Sequence, residues 1–316
     1  MADSLSVRTI PKSEIQTNSK PEPIVYVRRL VFTLAIATFF LMGLGSATRV
    51  MNAGLSCPDW PLCYGEVIPT AQMNLQVFLE WFHRLVASSV GFLTLIFAGL
   101  AWWFRHALPK WLPWGATWAV FLVIFQGILG GLTVTELLRF DIVTAHLGTG
   151  LLFFSSLLSI TVALLPYKPN HSAGKLPWFG LTAAILVYLQ SILGGLVASR
   201  WALHQCFASE ELCTVMNSHL VGVVPASLAA ISVMFVAWRT AALHPVLRQL
   251  SYVVGICLVA QVAIGYATYK LHLQVEPLTV AHQATGAALL GTLVCFTVLA
   301  LRDLVPQDLE KQDAVV

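Results

Sequence analysis

Residues 78–104 read FLEWFHRLVASSVGFLTLIFAGLAWWF: a glutamate, a histidine and an arginine lie in the first seven positions, then come twenty residues without a charge. Roughly 20 uncharged, apolar residues are what an α-helix needs to cross the hydrocarbon of a bilayer. Seven more such blocks flank this one, near residues 28–50, 112–134, 142–165, 177–199, 214–238, 248–269 and 278–301. The composition agrees. Of 316 residues, 57% are hydrophobic and 10% charged, against roughly 25% charged in a soluble domain. Membrane-spanning strands would give short alternating segments instead. The expected fold is an all-α integral membrane protein with eight transmembrane helices.

The charges orient it. With the N-terminus in the cytoplasm, the inner segments hold Arg8, Lys12, Lys20, Arg28, Arg29, Arg105, Lys110, Lys168, Lys175, Arg239, Arg248, Arg302 and Lys311. The outer ends and loops hold Arg49, Arg84, Arg139, Arg200 and Lys270. This positive-inside bias predicts both termini in the cytoplasm. The net charge of +3 says little about partners, and no nucleic acid is expected. Residues 1–27 and 303–316 read as polar tails. The first apolar block is too long for a signal peptide and lacks an obvious cleavage site, and the N-terminal tail lacks the amphipathic, acid-poor character of a transit peptide. The expected location is a bacterial cell membrane or an internal energy-transducing membrane.

The cysteines divide by compartment. Cys57 and Cys63 share the first outer loop, and Cys206 and Cys213 the third. Two pairs, each confined to one outer loop, suggest two local disulfides on an oxidising face; a thiol-based metal or redox site is the alternative. Cys257 and Cys295 lie in apolar blocks and read as small core residues.

Each even-numbered block opens with a histidine a few residues inside it: His83, His146, His219 and His282. The odd-numbered blocks end in related small-residue stretches. Gln126-Gly127-Ile128-Leu129-Gly130-Gly131 matches Gln190-Ser191-Ile192-Leu193-Gly194-Gly195, with weaker copies at Gln261-Val262-Ala263-Ile264-Gly265 and Gly43-Leu44-Gly45. His83 to His146 is 63 residues, His219 to His282 is also 63, and a shift of 136 carries the first pair onto the second. The chain therefore reads as two duplicated four-helix halves, 28–168 and 169–302. Each half has an even number of helices, so their axis should run along the membrane normal.

A histidine inside a membrane helix is costly and functional by default. A single one can serve as an interhelical hydrogen bond; four at one depth, in a duplicated pattern, point elsewhere. Two histidines from facing helices of a bundle can supply both axial ligands to a porphyrin. Gly148, Gly150, Gly222 and Gly286 follow the ligands and would allow close approach, though glycine also serves helix packing. Zinc or copper fits less well, because a second carboxylate or thiolate is missing at this depth. His106, His171, His204, His244 and His272 fall in loops or at helix ends and read as solvated.

The halves are not equal. Adding 136 to Glu80 reaches Met216, and adding 136 to Arg84 reaches Leu220. Glu80 and His83 share a helix face. A carboxylate beside a porphyrin edge can relay the protons that C–H oxidation by O₂ requires. Arg84 can anchor a porphyrin carboxylate, snorkel outward, or simply pair with Glu80 at spacing four. The asymmetry favours one chemical site and one electron-supplying site.

Taken together, the loop Gly54-Leu55-Ser56-Cys57-Pro58-Asp59-Trp60-Pro61-Leu62-Cys63, the segment Glu80-Trp81-Phe82-His83-Arg84 and the histidines opening blocks 4, 6 and 8 resemble the heme A synthase family. That resemblance implies oxidation of a methyl group of heme O to a formyl group by successive hydroxylations, giving heme A. It implies that His83 and His146 flank the substrate heme in the N-terminal half. His219 and His282 would ligate a resident heme b in the C-terminal half. Glu80 matches the family's functional carboxylate, and Cys57 with Cys63 and Cys206 with Cys213 match its outer-loop pairs. A heme O synthase and an electron donor are the implied partners. The alternative is a di-heme b-type electron carrier linked to quinol, which explains the histidines and the duplication but not Glu80 against Met216.

Overall fold

The structure, a computed structural model, describes residues 22–198 and 210–304, with side chains in the second stretch from residue 214 onward. Among the described residues eight long helices follow in order: α1 (Pro23–Val50), α2 (Leu75–Trp103), α3 (Leu112–Thr135), α4 (Phe140–Ala163), α5 (Leu176–Val197), α6 (Glu210–Arg239), α7 (Pro245–Lys270) and α8 (Glu276–Arg302). All eight are long and apolar enough to cross a membrane. Among the described residues there is no strand, only an isolated bridge between Cys63 and Glu66. The largest departure from the hydropathy blocks is at α1, which starts at Pro23, inside the segment expected to be a polar tail. Proline in the first turn has φ already set for a helix, and Val27 is buried, so the last residues of that segment join the bundle.

Helix starts follow from local chemistry. Pro113, Pro177, Pro245 and Pro277 occupy first turns. The Asn74 side chain caps α2 by accepting from Val77 N at 3.0 Å. α6 carries Pro225 in its interior without a break, as neighbouring helices in a membrane allow.

Three odd helices end in one device. Ala53 N donates to Thr48 O at 2.8 Å, Leu138 N to Thr133 O at 2.8 Å and Leu273 N to Thr268 O at 3.0 Å. Asn52, Leu137 and His272 supply the left-handed residue, with φ of 57°, 52° and 53°. These are Schellman motifs, which satisfy carbonyls a helix end would otherwise leave bare. The turns after α3 and α7 lead directly into α4 and α8, and so set where His146 and His282 enter.

The helices pack as two rings of four. α1 touches α2, α2 touches α3, α3 touches α4 and α4 returns to α1; α5, α6, α7 and α8 close in the same way. The rings meet through α1, α4, α5 and α8. Close approach there depends on glycine: a Cβ on Gly291 would lie 2.9 Å from Leu158, and one on Gly195 would lie 2.7 Å from Leu147. Small residues are the general means of bringing helices together in lipid, where no hydrophobic driving force operates between them. Val221, Val224, Leu228, Ile231 and Phe235 make an exposed apolar stripe on α6. In water such a stripe would cost about 25 cal/mol per Å²; against lipid it costs nothing.

Candidate functional site: two histidine-lined cavities

Each ring encloses a cavity at the end of the bundle where the even helices begin. The first, about 420 Å³, is lined by His83 and His146; the second, about 340 Å³, by His219 and His282. The walls are built by helical spacing. Glu80, His83, Ala87 and Gly91 of α2 face the first cavity at intervals of three and four, and Gln126, Gly130 and Thr133 of α3 do the same.

One local arrangement occurs four times. The imidazole of each even-helix histidine rests against a glycine of the preceding odd helix. A Cβ added to Gly45 would lie 2.9 Å from His83 Cε1, one on Gly130 3.4 Å from His146, one on Gly194 3.0 Å from His219, and one on Gly265 2.6 Å from His282. Four residues before three of these glycines stands a glutamine. Gln190 Nε2 donates to His219 O at 2.6 Å and lies 3.0 Å from His219 Nδ1. Gln261 Nε2 lies 3.3 Å from His282 Nε2. Gln126 packs against Gly150, whose added Cβ would lie 2.6 Å from its Nε2. At the fourth copy the place is taken by Leu41, which lines the first cavity where Gln190 lines the second. The matched Gln-to-Gly strings were visible in the sequence; what they face was not.

The geometry fits a planar porphyrin. The rings of His219 and His282 are 6.5 Å apart between centroids and nearly perpendicular, at 89°. An iron bound to two imidazole nitrogens at about 2 Å each leaves the ring centres roughly 6 Å apart. The buried Nδ1 atoms of His83, His146 and His282 have no hydrogen-bond partner, while His282 meets Gln261 through its Nε2. Among the described residues no three His, Cys, Asp or Glu side chains converge, so each cavity offers a two-nitrogen donor set.

The cavities differ in their remaining chemistry. Glu80, 3% exposed, is the one carboxylate among the described residues lining either. Its Oε2 accepts from Cys57 N at 2.8 Å, and its Oε1 pairs with Arg84 Nη2 at 2.6 Å. Arg84 also donates to Asp59 O at 2.6 Å and Leu62 O at 2.5 Å. Its guanidinium, expected from the sequence to have a porphyrin carboxylate among its options, is thus engaged by the 57–63 loop and by Glu80. Met216 and Leu220 stand at the corresponding places in the second cavity.

The loop over the first cavity is tied down. Cys57 and Cys63 form a disulfide with Cα atoms 4.7 Å apart, a usual span for such a bridge. Trp60 and Pro61 line the cavity, and the indole of Trp60 lies where a Cβ on Gly131 would be 3.3 Å away. Asp59 accepts from Tyr64 N at 2.6 Å and Gly65 N at 2.8 Å. The Gly65 bond is the chief reason its carboxyl lies below the usual carboxylate range. Of the second cysteine pair, Cys206 and the side chain of Cys213 lie outside the described residues. Cys257 and Cys295 are unpaired and half-buried.

At the opposite end of the bundle Asp303 is fully buried. It accepts from Asn170 N at 2.9 Å, Ser172 N at 2.7 Å, Ala173 N at 2.9 Å and Tyr167 Oη at 3.0 Å. Burial raises its pKa, but these donors outweigh burial and leave it lowered. The contacts are those of a structural staple. His106, His171 and His272 are exposed, and His244 caps α7; His204 lies outside the described residues.

Residues 28–294 match the family model described as cytochrome oxidase assembly protein. A heme A synthase of Shewanella oneidensis is 28% identical over 319 residues, covering 84% of this chain and 92% of that protein. One from Rhizorhabdus wittichii is 27% identical, covering 83% and 90%. One from Bacillus licheniformis is 24% identical, covering 86% and 95%.

Proposed function

The chain belongs to the heme A synthase family of cytochrome oxidase assembly proteins, and from that premise we propose that it oxidises the porphyrin methyl group of heme O to a formyl group by successive hydroxylations. The substrate lies in the first cavity, between His83 and His146. His219 and His282 would hold a resident heme b in the second, and that group would supply electrons one at a time. The observation that carries the assignment is Glu80: a carboxylate lines the first cavity, and Met216 stands in its place in the second.

Glu80 is the catalytic residue. Cys57 N–H and Arg84 hold its two oxygens, so the carboxylate is oriented before substrate arrives. In that position it can take up and release protons beside the methyl group being oxidised. Arg84 fixes Glu80 and the loop together; it would reach a substrate carboxylate only by releasing one of its present bonds. Trp60 and Pro61 roof the cavity and limit water at the reacting carbon. Gly45 and Gly130 let His83 and His146 approach the macrocycle from the helix backbones.

The two rings are the products of a duplication, related by an axis along the membrane normal, with residues 28–168 and 169–302 as the halves. The duplicated histidine spacing and the fourfold glycine–histidine contact support this. The positive-inside distribution supports cytoplasmic termini, polar tails at 1–27 and 303–316, and both cavities toward the outer face of a bacterial cell membrane. A heme O synthase would deliver the substrate, and a separate donor would reduce the resident heme. Cys206 and Cys213 of the third outer loop would form a disulfide matching Cys57–Cys63.

Purified protein supplied with heme O, a reductant and O₂ should yield heme A, identified by mass and chromatography of the extracted pigment. Stable binding of heme b alone, two per chain, with heme O returned unchanged, would instead establish a di-heme electron carrier.

A further inference from the structure

Arg49, the penultimate residue of α1, lines both cavities. Met42, Leu147 and Gln283 also line both, so the wall between the sites is one side chain thick there. Gln283 Nε2 reaches Met42 O at 3.5 Å and joins α8 to α1 across that wall. Among the described residues the Arg49 guanidinium donates no hydrogen bond and forms no ion pair, whereas Arg84 is spent on Glu80, Asp59 and Leu62. A guanidinium carries five donors and no acceptor. Held without a partner in an apolar wall, it is costly unless something brings an anion to it.

Its height is also informative. Arg49 lies four residues beyond Gly45, the glycine that cradles His83, which is about 6 Å of helical rise toward the bundle end. A porphyrin held at the histidine level would bring its edge carboxylates to Arg49 if they were turned toward that end, where water is nearest. We infer that Arg49 is a shared clamp, binding a carboxylate of the porphyrin in each cavity and so linking the substrate site to the resident-heme site. This rests on the function proposed above and adds to it the binding residue that serves both sites at once. One cation between two anions also couples them. Removing it leaves uncompensated negative charge beside the resident iron, which favours the oxidised form and lowers its midpoint potential.

The test uses the full-length protein, in His83→Ala and His219→Ala backgrounds that leave one cavity each, with Arg49→Gln and Arg49→Lys compared with arginine. Each is titrated with heme b and with heme b dimethyl ester, and the resident heme's midpoint potential is measured. Arg49→Gln should bind heme about tenfold more weakly in both cavities, the size of one charge-assisted hydrogen bond. It should lower the midpoint potential, and Arg49→Lys should recover most of both effects. The dimethyl ester should bind Arg49→Gln and the parent protein equally, which a merely structural arginine would not produce. Unchanged binding and potential would mean that the arginine only snorkels to the interface, and the inference fails. An effect in one cavity alone, or equal losses for heme and ester, would also overturn it. Failure of the parent protein to bind any heme would count against the proposed function, not against the clamp.

Discussion

The two cavities are built from one plan and finished differently. In both, a glycine of an odd helix receives an imidazole from the next even helix, and the rings of four close in the same order. The second cavity completes the plan: Gln190 holds the ring and the backbone carbonyl of His219, and Gln261 stands against His282. In the first, the glutamine beside His83 is replaced by Leu41. A buried Glu80–Arg84 pair and a disulfide loop occupy the space where the second cavity has Met216 and Leu220. Bracing suits a group that stays. A less braced histidine beside a carboxylate suits one that is bound, altered and released.

The largest effect should come from removing that difference. Glu80→Gln keeps the shape and the Cys57 hydrogen bond, yet should lower heme A formation by at least about a hundredfold, the usual scale of general acid–base assistance. The visible spectrum of the heme at His219 and His282 should not move. Loss of both signals in this variant would make Glu80 structural.

The glycine cradles offer a paired comparison of intermediate size. Gly45→Ala would put a Cβ 2.9 Å from the His83 ring and Gly265→Ala one 2.6 Å from His282. Displacing either ring in a packed wall costs about 1–3 kcal/mol. Each variant should therefore weaken heme binding roughly tenfold in its own cavity, as read by heme titration, and leave the other cavity unchanged.

Much of this was open to a sequence reader. Eight apolar blocks with boundaries near those of the helices, and histidines 63 residues apart in each half, need only membrane physics and counting. The Glu80–Met216 mismatch needs only the 136-residue shift. What the helices face across a groove lies beyond such counting. Gly130 and Gly194 stand in matched strings, yet their contact with His146 and His219 depends on which helices pair and at what rotation. Arg49 counted merely as one charge at an outer end, because its position between two cavities follows from α1 packing on both α4 and α8. The Arg84 bonds to Asp59 and Leu62 depend on how the disulfide loop folds back, which no periodicity describes.

Leu41→Gln would make the first cavity more like the second. An amide beside His83 should strengthen heme retention there a few-fold, the worth of one ordinary hydrogen bond, and heme titration would show it. No change would mean that the missing glutamine is not what separates the two histidine environments.

The smallest effect concerns the loop. The Asp59 carboxyl is held below its ordinary value by the Gly65 and Tyr64 amides. Its contribution is therefore fully present above the unfolded carboxylate pKa of about 4 and is lost as pH falls through the lower folded value. Below about pH 4 the loop should loosen over the first cavity, with a fall in the exchange protection of the Tyr64 and Gly65 amides. Asp59→Asn should show little of that dependence.

The central claim is that the two histidine pairs hold different hemes, one substrate and one resident. Its most direct measurement is the identity and amount of pigment extracted from the full-length protein carrying His83→Ala or His219→Ala, beside the unaltered chain. The account predicts one heme b per chain together with heme O or heme A in the unaltered protein. It predicts heme b retained with heme O and heme A lost in His83→Ala, and heme b lost in His219→Ala. Two heme b per chain in the unaltered protein, with each substitution removing one of them, would contradict it.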